Sequence, residues 1–343
     1  MKAVVKTAEG VGNVALLDVP SPSCGDYEVK IKVMAVGICG TDIKIMQGGA
    51  WSNPPVILGH EYAGVVAEVG KNVTEIHVGD RVISETAQVV CGKCSYCLSG
   101  NILMCDERLS IGYGVNGAMA EYCVVREGIV HKIPDGLDFD SAALAEPTAV
   151  AVHAALDHVH LEKDEWVLVS GCGAIGLLVA QIMKSIGCHV IITGISPDKR
   201  RLEVAKELGC DYAVNVEADD LSSLVMEVTN HIGVSAVFEC SGAESSVRAV
   251  MPLLKKTGKL VQVGLTKPDL TINYALLPGR EISLIGTFGH VWSSWETALE
   301  LLGSGKVQTK PIITHHFPLE EWEKAFEIAR GGEGIKVLLH PKQ

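Results

Sequence analysis

The sequence predicts an α/β protein of two domains, a doubly wound parallel sheet and a separate β-barrel-like domain. Three observations carry this. From about residue 150, short apolar runs alternate with helix-like stretches six times over, which calls for a parallel sheet covered on both faces. Before that point, β-branched runs are separated by glycine-rich turns, the pattern of antiparallel strands. At 343 residues the chain is long for one core and comfortable for two.

Taken in order, the β-rich part shows "YEVKIKVMAVGICG", "YAGVVAEVG", "GDRVISE" and "AEYCVV". The parallel part opens with the apolar strand "WVLVSG" (166–171) and the helical "AIGLLVAQIMKSIG" (174–187). "HVIITG" (189–194) leads to "SPDKRRLEVAKELG", and "YAVNV" to "LSSLVMEVTN". "VSAVFECSG" precedes "ESSVRAVMPLL", and "GKLVQVG" and "ISLIGTFG" complete the sheet. "SSWETALELLGSG" and "LEEWEKAFEIARGG" read as amphipathic helices with glycine stops, and "IKVLLHP" as a closing strand.

Composition narrows the function. Apolar residues make up 48% of the chain and glycines number 36, as in soluble globular proteins. A net charge of -12 argues against nucleic acid or an anionic membrane as partner. The N-terminus lacks a secretory signature, and no apolar run approaches the roughly 18 residues of a membrane span. A cytoplasmic protein is expected. There, eleven cysteines point to metal ligation or free thiols, not to a disulfide framework.

Gly171, Gly173 and Gly176 form G-x-G-x-x-G directly after a strand and at the start of a helix. In that context the first glycine makes the turn and the second admits a pyrophosphate. The third lets helix and strand pack, and the helix N-terminus faces the phosphate charge. A dinucleotide is the expected ligand. The acidic residue that grips an NAD ribose some 20 residues on is absent, and Gly194 stands there, followed by Ser196, Lys199, Arg200 and Arg201. Without the carboxylate, and with these cations to pair a 2′-phosphate, the segment leans toward NADP; Asp198 works against that lean.

Cys91, Cys94, Cys97 and Cys105 follow C-x2-C-x2-C-x7-C. Four thiolates on a short lobe suit a closed, tetrahedral structural zinc site; the alternative is an iron–sulfur cluster. A closed site orders a loop but binds no substrate. A catalytic metal needs ligands elsewhere, and the candidates are Cys39 in "GICGTD", His60 and Glu61 in "LGHEYAG", and Glu146 in "ALAEPTAVAVH".

"GHEYAG", the preceding "CGTD", the four-cysteine lobe and the later G-x-G-x-x-G together resemble the zinc-dependent medium-chain dehydrogenase/reductase family, over essentially the whole chain. The resemblance implies a GroES-like catalytic domain from residues 1–147 and 288–343 and a Rossmann domain over 148–287. It implies two zinc ions per chain: one on Cys39, His60 and Glu146, with Glu61 as alternate or fourth ligand, and the structural one on the four cysteines. The catalytic ion would acidify a substrate hydroxyl, with Thr41 taking the proton and Lys44 standing where many members have the next relay histidine. It also places Ile175 beneath the pyrophosphate, Arg201 near the adenosine, and Val263, Gly264, Leu265 and Thr287 beside the nicotinamide of NAD(P). The "EP" at 146–147 resembles polyol dehydrogenases, so a polyol or sugar alcohol is the expected substrate. L-threonine, simple alcohols, and a silent NADPH-binding sensor are the alternatives. A homodimer or homotetramer is expected, with the edge near 282–289 as a seam.

Overall fold

The computed structural model describes residues 1–266 and 269–342. It divides into two compact units. The first comprises Met1–Glu146, Val291–Gly303 and Ile313–Gln343; the second comprises Pro147–His290 and Ser304–Ile312.

In the first unit the strand Glu28–Gly37 alternates partly exposed and buried residues before becoming wholly buried, the period-2 signature of a strand with one wet face. It pairs antiparallel with Glu61–Val69, Tyr122–Arg126 and the C-terminal strand Lys336–His340. These belong to a seven-stranded sheet that also holds Arg81–Ser84, Val130–Lys132 and Ile313–Pro318. The register sets Leu338 opposite Gly37 and Glu61 opposite the same Gly37. The first and last parts of the chain thus meet around one glycine.

The second unit is a six-stranded, all-parallel sheet. Its spatial order is Tyr212–Asn215, His189–Gly194, Trp166–Ser170, Val234–Glu239, Leu254–Gln262, Ser283–Gly286. Counted along this unit the order is 3-2-1-4-5-6, that of a Rossmann sheet, with its switch point beside Trp166–Ser170. Trp166–Ser170 and Val234–Glu239 are buried almost throughout, as strands covered on both faces must be. Residues 304–312 cluster with this unit rather than the first, where the sequence reading placed them. Gln181, on the helix Ala174–Ser185, clasps Gln308 by its backbone: Nε2 donates to the carbonyl at 3.2 Å and Oε1 accepts the N–H at 2.7 Å.

The three glycines of the phosphate loop are held for different reasons. Gly171 has φ +100°, a conformation that side chains resist. A Cβ at Gly173 would meet open space, whereas one at Gly176 would collide with the Gly171 carbonyl. That carbonyl is backbone and cannot yield. Gly176→Ala is therefore expected to cost about 1–3 kcal/mol of stability in urea unfolding and to weaken binding of either nicotinamide dinucleotide.

Candidate active site and nucleotide-binding site

Cys39 caps the helix Gly40–Met46, and the Asp42 carboxylate folds back to accept its N–H at 2.8 Å. This capping box fixes the thiol at a helix start. His60 and Glu61 follow Gly59, whose φ of +91° turns the chain into the strand Glu61–Val69. A Cβ at Gly59 would press on Met119 and Val36, and one at Gly37 would collide with the Glu61 carboxylate. The glycines of this segment are thus the room that the site needs.

Ligand atoms of Cys39, His60 and Glu61 lie within 4.8 Å of one another. The His60 imidazole faces the Cys39 sulfur within this set. Its Nδ1 faces Asp42 Oδ1 at 4.0 Å, and both atoms are buried without a hydrogen-bond partner. Glu146 lies in electrostatic contact with His60, Glu61, Lys336 and Asp42, outside that tight set. Burial pushes its carboxyl up to about 7, opposed by the His60 charge. Burial works against a charge on His60 too, but Cys39, Asp42 and Glu146 outweigh it and hold the imidazole's pKa well above the usual range. Four acidic groups thus face two cationic ones in a buried pocket. A mixed sulfur, nitrogen and oxygen donor set, with charge to spare and orphaned polar atoms behind it, fits a divalent zinc ion.

The sequence reading missed Lys336. It is 5% exposed, and its ammonium donates to both Glu61 oxygens, at 2.6 and 2.8 Å, and to the Ile38 carbonyl at 3.3 Å. It also missed Asp42, although the spacing C-x-x-D of a capped helix start was a usable signal. Thr41 is partly buried in the first turn of that helix, and Lys44 is exposed one turn further on.

The four cysteines form a second, separate set whose sulfurs all lie within 4.8 Å of one another. Cys91 and Cys97 sulfurs are 3.9 Å apart, close to the roughly 3.8 Å that two thiolates span on tetrahedral zinc. Backbone N–H groups of Cys94, Cys97 and Cys91 point at Cys91, Cys94 and Cys105 sulfurs at 3.3–3.4 Å. The bond from Lys93 and that from Cys94 lower Cys91 to about 7, whereas burial first, and then its neighbours' thiols, raise Cys97 to about 12. So tight a set has room for one ion, which favours zinc over a multi-iron cluster.

In the second unit, Ile175 is the second residue of the helix that follows the glycine loop. Val263 and Gly264 both donate their N–H to the Glu239 carbonyl, and Thr287 donates its N–H to Gln262. The Thr287 hydroxyl is buried without a protein partner, and Leu265 is exposed. Glu239, which the sequence reading did not single out, organises this end of the sheet. Its buried carboxylate accepts from Ser241, Gly242, Ser246 and Gln262.

The segment from Gly194 to Arg201 holds the residues expected near an adenosine. A Cβ at Gly194 would meet the Cys172 sulfur and Asp198, so no acidic side chain fits there. Arg200 pairs with Glu203 and Glu207 at 3.5 and 3.4 Å, and Arg201 with Asp198 at 3.2 Å. Ser196 gives its N–H to Glu217 at 2.9 Å, and its hydroxyl and that N–H hold the Glu217 carboxyl below its usual range. Lys199 stands exposed. Arg200 and Arg201 thus stand beside carboxylates, and Glu217 accepts the Ser196 amide. Glu217 lies on the loop after the neighbouring strand, where no motif marks it.

Residues 25–135 match the alcohol dehydrogenase GroES-like domain, and residues 174–304 match the zinc-binding dehydrogenase family. Over 342 residues the chain is 44% identical to a sorbitol dehydrogenase of Halalkalibacterium halodurans, covering 99% of both chains. It is 42% identical to a D-arabitol-phosphate dehydrogenase of Enterococcus avium, over 99% of this chain and 97% of that one. The crystal structure of a zinc-binding dehydrogenase of Sinorhizobium meliloti bound to NADP superposes with a TM-score of 0.91 at 31% identity, covering 99% of both chains. The chain belongs to the zinc-binding dehydrogenase family and is an oxidoreductase with a Rossmann domain and a GroES-like domain. Among its described residues no helix is long and apolar enough to cross a membrane.

Removing the ammonium behind Glu61 tests the buried pair. Lys336→Met is expected to cost about 3–5 kcal/mol, since it leaves a buried carboxylate uncompensated. Adding Glu61→Gln to it should restore much of that loss in the same urea unfolding measurement.

Proposed function

We propose that this chain oxidises a secondary alcohol of a polyol or sugar alcohol, passing a hydride to a nicotinamide dinucleotide. The buried Cys39–His60–Glu61 set, with Glu146 beside it, carries this reading. Cys39, His60 and Glu146 are the ligands of choice, because Glu61 already spends both oxygens on Lys336. Bound there, a zinc ion would supply Lewis-acid activation of the substrate hydroxyl. Asp42 would then orient His60 through Nδ1, as carboxylates commonly do behind metal-bound imidazoles. A carboxylate third ligand makes the site harder and more polar than a second thiolate would, which suits adjacent hydroxyls. The two relatives named for polyol substrates support the same class.

Thr41 and Lys44 stand three residues apart on one helix, hence on one face. The first is partly buried and the second exposed. Thr41 accepts the substrate's proton in this reading, and Lys44 marks its exit toward solvent. The cysteine lobe is a structural zinc site, giving two ions per chain. Gly171, Gly173 and the helix N-terminus at Ile175 hold the pyrophosphate, and Val263, Gly264, Leu265 and Thr287 the nicotinamide end. Ser196 and Glu217 take the adenosine ribose, and their arrangement favours NAD, because a 2′-phosphate would have to displace a carboxylate. A homodimer or homotetramer is supported by the outermost strand Ser283–Gly286, where Leu284 is exposed, as is Phe288 just after it. Eleven cysteines without a disulfide support a cytoplasmic location.

The test is a screen for reduced nicotinamide absorbance, crossing polyols and polyol phosphates, L-threonine and plain alcohols with NAD and NADP. Polyols should lead by at least tenfold in kcat/KM; a lead by threonine or plain alcohols overturns the substrate class. Cys39→Ser should lower kcat by at least a thousandfold while dinucleotide binding persists. Glu217→Gln should raise kcat/KM for NADP several-fold relative to NAD, since it removes a negative charge that would face the 2′-phosphate.

A further inference from the structure

Away from both zinc sets, three more side chains with metal-binding chemistry converge in the first unit. Asp140 lies on the short helix Phe139–Ala142, His316 on the strand Ile313–Pro318, and His340 at the end of the strand Lys336–His340. One ligand atom from each lies within 4.8 Å of the other two. His316 Nδ1 and His340 Nε2 are 3.2 Å apart, and Asp140 reaches them with separate oxygens, at 3.5 and 3.7 Å.

The scaffold behind these groups is fixed. The Asp138 carboxylate caps the short helix by accepting the Ser141 N–H at 2.7 Å, which sets the place of Asp140. The two strands run parallel, with His316 opposite Leu338 and Pro318 opposite His340. The histidines are thus diagonal neighbours on one face, with rings stacked at a centroid distance of 5.5 Å. His340 Nδ1 lies 3.2 Å from the Met34 carbonyl. A carbonyl only accepts, so Nδ1 carries the proton and Nε2 keeps its lone pair. That lone pair faces the cluster, and a backbone carbonyl behind a ligating imidazole is the usual outer support of a metal site.

We propose that Asp140, His316 and His340 form a third metal site, for a late first-row divalent cation of which zinc is the example. Two imidazoles on tetrahedral zinc hold their nitrogens about 3.4 Å apart, given bonds of about 2.0–2.1 Å. The observed 3.2 Å needs almost no adjustment. The carboxylate supplies the third ligand and offsets half the ion's charge. His316 is 50% exposed, so water completes the coordination and the ion exchanges with solvent. This site binds more weakly than the two other sets and fills only when zinc is supplied in excess. Bound there, the ion staples the strand that carries Lys336 to the helix that precedes Glu146. The assignment is independent of the substrate proposed above.

Calorimetric titration of zinc chloride into the holoenzyme, with its tight metal already in place, tests it. The wild type should show one further binding event per chain in the micromolar range. That event should vanish in His316→Ala and in His340→Gln, and weaken at least tenfold in Asp140→Asn. No further event in the wild type, or the same event in His316→Ala, overturns the proposal. Loss of dehydrogenase turnover is read separately through Cys39→Ser, so failure of one reading leaves the other standing.

Discussion

The ion pair between Lys336 and Glu61 is the contact on which the first unit's chemistry depends. Both groups are almost fully buried, so each would be expensive alone, and together they require close, two-pronged geometry. The pair brings a residue from the end of the chain against one from its first fifth. It works only because Gly37, between them in the sheet, has no side chain to fill the space of the Glu61 carboxylate. Through it the C-terminal strand becomes part of the site. It also separates two neighbouring acids: Glu61 is paired with an ammonium, whereas burial raises the Glu146 carboxyl to about 7.

The Cys39 set and the four-cysteine set are built on opposite principles. The cysteine lobe draws all four sulfurs from a fifteen-residue stretch, and its own backbone N–H groups support them. It is a local object with little dependence on the rest of the fold. The Cys39 site gathers residues from a helix cap, a glycine turn, a distant helix and the last strand, and its supporting Asp42 is itself held by the cap. A closed local site suits a scaffold ion. An assembled one, with orphaned polar atoms at Asp42 and His60, suits a site whose contents change during a reaction.

Charge around Gly194 is also arranged by tertiary contacts. Where a carboxylate is usual at the end of the second strand, Cys172 and Asp198 leave no room for one beyond Gly194. Glu217, arriving from the neighbouring strand's loop, takes up the Ser196 amide instead. The arginines that read as phosphate ligands in the sequence are drawn to Glu203, Glu207 and Asp198. A basic run at a helix start is thus partly self-neutralising, because helical spacing sets its own acidic partners three to seven residues away.

By itself the sequence determined the fold class, the parallel and β-rich halves, the phosphate loop and the four-cysteine lobe. Each of these is written in contiguous residues, as a period, a spacing or a glycine whose neighbours leave one choice. It also named Cys39, His60, Glu61 and Glu146 as candidate ligands, because they stand in "CGTD", "GHEYAG" and "EP", motifs that resemble a known family's. Only the tertiary structure decided that Lys336 holds Glu61, that Asp42 faces His60, that Glu239 organises its end of the parallel sheet, and that residues 304–312 belong with the second unit. It alone set Glu217 on Ser196 and drew Asp140, His316 and His340 together. Most of those pairings join residues far apart along the chain, and the packing of strands and loops, which no contiguous stretch records, is what brings them together.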